Sequence, residues 1–210
     1  ASPILAGTLL ASRGNLTTGS EVIRFDPQQP ISSINPSILA TIAGLGHQGA
    51  LDTGGHRFFL DARAFDGSRL LMIDTLKATE NVTETGLDTT NPVLLGYQWD
   101  SKNQYLIALR FGAGISGSQV VRIDPTTFQV TNLVQFSETG LGSSTLDSDG
   151  HLLASLSGQL LLIDTKTGEV RQTGIRTSWR PCHEEPPPIQ FTFHWDKITN
   201  TLLGMRAIFE

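Results

Sequence analysis

Four times along the chain an apolar run closes on an aspartate. The copies are Val22-Ile23-Arg24-Phe25-Asp26, Leu70-Leu71-Met72-Ile73-Asp74, Val120-Val121-Arg122-Ile123-Asp124 and Leu160-Leu161-Leu162-Ile163-Asp164. Their aspartates lie 48, 50 and 40 residues apart, and Pro27, Thr75, Pro125 and Thr165 follow them. A short apolar run that stops at a turn residue reads as a buried strand. Recurrence at this interval marks one supersecondary unit, repeated, in which no copy can bury its apolar face alone.

Other elements repeat in step. A second strand recurs as Leu9-Leu10-Ala11-Ser12-Arg13, Phe59-Leu60-Asp61-Ala62-Arg63, Leu106-Ile107-Ala108-Leu109-Arg110, Leu152-Leu153-Ala154-Ser155 and Leu202-Leu203-Gly204-Met205-Arg206. An inner strand ends on Asp52, Asp100, Asp147 and Asp196, with Gly54, Asn103, Gly150 and Asn200 soon after, as hairpin turns require. Glycine with an aliphatic residue (Gly44-Leu45, Gly86-Leu87, Gly140-Leu141, Gly174-Ile175) reads as a linker between units. Polar strands such as Thr79–Thr83 and Gly168–Gln172 read as outermost. No helical periodicity competes, and a β-sandwich would not need a repeated phrase. The expected fold is all-β: a β-propeller of four or five four-stranded antiparallel blades, in one domain over 1–210. The units run approximately 1–42, 43–85, 86–139, 140–174 and 175–210. Seventeen strands are expected, where four blades need sixteen and five need twenty. One blade built from strands of both termini, or a blade completed by a partner chain, are both open solutions.

The segment Leu160 to Thr173, LLLIDTKTGEVRQT, resembles the repeats of quinoprotein-like and YncE-like β-propellers. The resemblance covers nearly the whole chain. It implies the fold and no particular activity, because such scaffolds carry unrelated functions.

Composition excludes several classes. Charged residues are 17% and hydrophobic residues 39%, which is globular and not disordered. The net charge is −5 with no Lys/Arg run, against a nucleic-acid partner. No 18-residue apolar run exists to form a membrane-spanning helix. Cys182 stands alone, so no internal disulfide forms. The Ala1-Ser2-Pro3 start fits a processed or trimmed chain. Sequons at Asn15 and Asn81, with only four lysines, lean towards a secreted or extracytoplasmic glycoprotein.

Loops held on a rigid scaffold are where function concentrates. Arg13, Arg63, Arg110 and Arg206 end second strands at the same point of the repeat, and the fourth copy runs Ser155-Leu156-Ser157 instead. Guanidinium forks around a channel mouth suit a small anionic ligand; equally, each Arg could lock blades by pairing with an acid such as Asp61, Asp66 or Glu138. The long linker Arg176 to Gln190 carries Trp179 and Arg180 as further ligand candidates, stiffened by Pro186, Pro187 and Pro188. Its Cys182, His183, Glu184 and Glu185 are metal-competent side chains, but neighbours on an extended chain point apart, so no metal site is expected. His194 is expected in the last inner strand beside the channel and His47 just before the first complete one, which makes the two candidates to meet across it as ligands or as a general base. His56 and His151 read as equivalent hairpin-turn residues, and Asp26, Asp74, Asp124 and Asp164 as turn acceptors. No nucleophile elbow, zinc spacing or phosphate loop occurs, and Gly112–Gly117 opens no helix, so no cofactor is expected. The first reading is therefore a non-catalytic ligand-binding or protein-interaction propeller. A hydrolase or lyase using His183, Glu184 or Glu185 and His194 is the second. An assembly component, a homo-oligomer or one whose partner chain completes a blade, is the third.

Overall fold

The computed structural model describes residues 9–15, 19–25, 37–77, 81–176, 191–196 and 201–206. All regular structure within them is β-strand. The chain divides into two compact units, Ala1–Thr90 and Asn91–Glu210.

The first unit holds two antiparallel sheets. One is three-stranded among the described residues, in the order β1 (Leu9–Asn15), β2 (Gly19–Phe25), β3 (Ser37–Ile42). The other follows chain order through β4 (Leu45–Asp52), β5 (Arg57–Ala64), β6 (Gly67–Asp74) and β7 (Val82–Asp88). The second unit holds three more. A four-stranded sheet runs β8 (Val93–Asp100), β9 (Tyr105–Phe111), β10 (Ser118–Ile123), β11 (Val130–Phe136). Its successor runs β12 (Leu141–Leu146), β13 (His151–Leu156), β14 (Gln159–Asp164), β15 (Val170–Arg176). A hairpin of β16 (Phe191–Asp196) and β17 (Thr201–Arg206) follows.

The two middle strands of each four-stranded sheet supply most of the buried apolar residues, and β7 contributes none that is fully buried. Neighbouring sheets within a unit then bury their faces together. Val22, Leu39, Ile42, Leu60, Leu71 and Ile73 form one core, and Ile107, Val120, Leu146, Leu152, Leu161 and Ile163 another. Polar ties reinforce each stack. Arg24 and Arg122, at one slot of the repeated phrase, donate to the carbonyls of Thr75 and Lys166, in the turns after β6 and β14 of the next sheet, at 3.4 and 3.3 Å. Thr165, fully buried, donates a very short hydrogen bond to Asp100, and Asn103 donates to the same hydroxyl at 3.1 Å.

The repeated aspartates sit where the phrase places them. Asp124 accepts the Thr126 and Thr127 amides at 2.8 Å, Asp164 those of Lys166 and Thr167 at 2.8 Å, and Asp74 that of Leu76 at 2.9 Å. Asp26 lies outside the described residues. Three inner-strand aspartates cap hairpins: Asp52 takes the Gly55 amide and Arg57, Asp100 the Lys102 and Asn103 amides, and Asp147 the His151 amide and ring; the Asp196 side chain lies outside the described ones.

Two expectations need correction. Gly86-Leu87 and Gly174-Ile175 are not linkers between units; they lie inside β7 and β15. Both glycines are left-handed, at φ 74° and 76°, where the outer strand slips register against its neighbour. The preceding threonines bridge the slip. Thr85 and Thr173 donate to Leu70 and Leu160 carbonyls at 2.7 Å and accept the Leu87 and Ile175 amides at 3.2 Å. Nor is the Asn81 sequon a free acceptor. Asn81 is 5% exposed, and its amide nitrogen donates to Leu39 O at 2.6 Å, so it ties two sheets together. The Asn15 side chain lies outside the described ones.

Candidate functional site

Pairing with the third strand defines which second-strand residues are equivalent. Val22, Leu70, Val120 and Leu160 begin the four phrases, and their partners are Ser12, Asp61, Leu109 and Ser155. One residue further on stand Arg13, Ala62, Arg110 and Leu156. Arg206, read through the Trp195–Leu202 pair against Trp99–Leu106, joins Arg13 and Arg110. Arg63 does not. It lies one residue beyond the shared slot, and a one-residue offset in a strand sends the side chain to the opposite face. The expected ring of four equivalent arginines thus resolves into three at one slot and Arg63 apart.

Their partners differ as well. Arg13 donates to Glu21 across the hairpin at 2.8 Å. Arg63 Nε lies 3.5 Å from Asp61. Asp66 turns to Arg69 at 3.6 Å, and Glu138 accepts the Ser157 hydroxyl at 2.9 Å. No ion pair joins Arg110 among the described residues.

The Arg63 neighbourhood is built by a bulge. Gly46 pairs with Ala62 and Gln48 with Asp61, which leaves His47 as the extra residue of β4, turned out to solvent. The preceding sheet clamps this bulge: Gly46 N donates to Ser20 Oγ at 3.2 Å and Gly46 O accepts Ser12 Oγ at 3.1 Å. A Cβ at position 46 would stand 2.9 Å from that of Ser12, so only glycine fits. On β5, Asp61 is 1% exposed and accepts the buried Thr89 hydroxyl at 2.6 Å. At the same slot the other sheets hold Ser12, Leu109, Ser155 and Met205, so Asp61 is the one charged copy. It holds Arg63 Nε at 3.5 Å, while the Arg63 side chain as a whole remains 38% exposed.

Electrostatics follow from this placement. The exposed His47 ring loses hydration against the sheet, and Arg63 adds repulsion; together they hold the imidazole below the usual histidine range, against the pull of Asp61. A neutral imidazole carries one N–H and one lone pair, so beside a guanidinium it can donate to an anionic oxygen without adding charge.

His56 and His151 are not equivalent. His56 sits within the β4–β5 turn at φ 54°, whereas His151 opens β13 and pairs with Asp147 at 2.9 Å, in the slot that Arg57 fills in β5. Trp179, Arg180, Cys182, His183, Glu184 and Glu185 lie outside the described residues. His194 is placed in β16 opposite Leu203, and Arg206 in β17 opposite Phe191, by backbone alone. The sequence reading missed the bulges. The phrase Leu-Gly-X at Leu45-Gly46-His47, Leu95-Gly96-Tyr97 and Leu141-Gly142-Ser143 marks the register breaks of β4, β8 and β12, and would have revealed them.

No protein-family model and no curated protein sequence matches the chain. Solved structures do. TolB from Acinetobacter baumannii is 16% identical over 83% of this chain and 42% of its own, with a TM-score of 0.59. The nidogen/laminin complex gives 14% identity over 96% and 72%, at 0.62. The fold is that of a β-propeller. An oligogalacturonate lyase in complex with manganese gives 12% over 78% and 44%, at 0.59. This propeller chain spans about two fifths of the TolB and lyase chains, and identities this low carry the fold alone. Among the described residues no helix is long and apolar enough to cross a membrane.

Proposed function

We propose that this propeller is a non-catalytic binding module, secreted or extracytoplasmic, which takes an anionic group of a small ligand or protein partner at His47 and Arg63. One observation supports it above others: Asp61 is a buried carboxylate in a slot that the fold fills elsewhere with neutral residues. Burying a charge is costly unless it is paired. Here it orients an exposed guanidinium beside a neutral imidazole, an arrangement suited to two oxygens of a carboxylate or phosphate. The small number of lysines supports the extracytoplasmic reading. Likeness to a nidogen seen in complex with laminin supports the partner reading.

Thermal unfolding in phosphate, sulfate and citrate tests the proposal. A bound anion raises Tm by mass action. The wild type should gain Tm, and Arg63→Ala should lose that gain while keeping its β-type circular dichroism. An unresponsive wild type, or an Arg63→Ala protein that responds fully, refutes it. A second reading, completion by a partner chain, is favoured by sheets of three and two strands among the described residues. A solution mass near 22.7 kDa refutes a permanent assembly.

A further inference from the structure

The second unit contains a groove that the Arg63 site does not use. About 510 Å³ lies between β11 and the β14–β15 edge, beside the loop that follows β13. Phe136, Leu161 and Val170 give it an apolar floor, and Gln159 and Gln172 stand exposed on its rim. Glu138 is the one charged side chain in its lining. That carboxylate accepts a neutral hydroxyl, Ser157 at 2.9 Å, and no cation among the described residues pairs with it.

The repeat explains the gap. The slot that carries Arg13, Arg110 and Arg206 carries Leu156 here, and the next position, Arg63 in the second sheet, carries Ser157. This sheet alone among the four phrase-bearing ones has no guanidinium at either position. Leu156 instead lines the groove, 7% exposed. We propose that this groove receives an arginine side chain from an extended peptide of a partner protein. Its methylene stem lies on Leu161, Val170 and Phe136, its guanidinium meets Glu138, and the Gln159 and Gln172 amides bond the peptide backbone. An arginine stem is apolar and its fork matches a carboxylate, so a floor of this composition under one unpaired acid favours it over an anion or a neutral sugar. The partner thereby supplies the cation that Arg13 and Arg110 place at this slot in the first and third sheets.

Fluorescence anisotropy of a labelled pentapeptide, one arginine flanked by glycines, tests this on the full chain. Replacing its arginine by citrulline, which keeps shape and loses charge, should weaken binding at least about tenfold, as should Glu138→Gln. Leu156→Arg should abolish binding by placing a guanidinium in the groove. Because that change falls at a buried position, Glu138→Gln, on an exposed loop, decides if Leu156→Arg fails to fold. Equal affinity for the citrulline peptide, an unaltered affinity in Glu138→Gln, or no binding of the arginine peptide at millimolar concentration overturns the proposal.

Discussion

Single residues decide how His47 titrates. Desolvation first, then Arg63, lowers its pKa, and Asp61 opposes them. In a proton NMR titration His47 should therefore titrate below the usual histidine range. Arg63→Ala should raise that midpoint and Asp61→Asn should lower it; shifts of the same sign in both variants would refute the geometry. The sign for stability follows. Between the folded and the ordinary histidine pKa the unfolded chain binds more protons, so His47 removes stability as pH falls through that window. The Asp61–Thr89 pair permits a second test. Replacing both, as Asp61→Ala with Thr89→Val, orphans neither partner, and should leave unfolding stability unchanged or raise it by about 1 kcal/mol, while anion stabilisation is lost. A loss of several kcal/mol by denaturant unfolding would show that the pair serves the fold. Part of this site was legible beforehand. Arg13, Arg110 and Arg206 do share a slot, because their strands carry apolar runs of one pattern. Arg63 was misplaced because β5 reads Phe58-Phe59-Leu60, and either Phe can be matched to Leu106 by eye. Only the ladder, Phe58 to Ile73 as Leu106 to Ile123, selects Phe58.

Turns and edges set the behaviour of each element. Hydrogen bonds from the Thr127 and Thr126 amides hold the Asp124 carboxyl below the usual aspartate range, and those of Thr167 and Lys166 do the same for Asp164. Asp124→Ala should cost about 1 kcal/mol through the lost turn. A depressed carboxyl stabilises fully above the ordinary aspartate pKa and ceases to do so as pH falls through the folded value. The gap between wild type and Asp124→Ala, measured by urea unfolding, should thus be constant near neutrality and narrow only in acid. A gap that widens towards acid would be wrong in sign. The strands themselves were readable, because burial of the two middle strands demands the apolar phrases. The Gly86 and Gly174 register slips were not: a Thr-Gly-aliphatic triplet looks like a loop until the neighbouring carbonyls, Leu70 and Leu160, are known to accept the threonine hydroxyls.

Within each unit, sheets bury apolar surface mainly against their neighbours. Leu152 is fully buried between the third and fourth sheets. Leu152→Ala should cost about 2–5 kcal/mol, the range for an aliphatic core truncation, read as a fall in the urea midpoint. A cost under about 1 kcal/mol would mean that this core is not closed. Repetition has a further effect on how stability is distributed. In stacked repeats the free energy is a sum of copy and neighbour terms, so an unfavourable residue weakens its own copy most. The copy bearing Asp61 is then the one that opens first: its β5 amides should exchange with solvent deuterium sooner than those of β13, which has Ser155 at that slot. The remaining copies hold the architecture, and that one copy is left free to change its chemistry over generations of mutation at little risk to the rest.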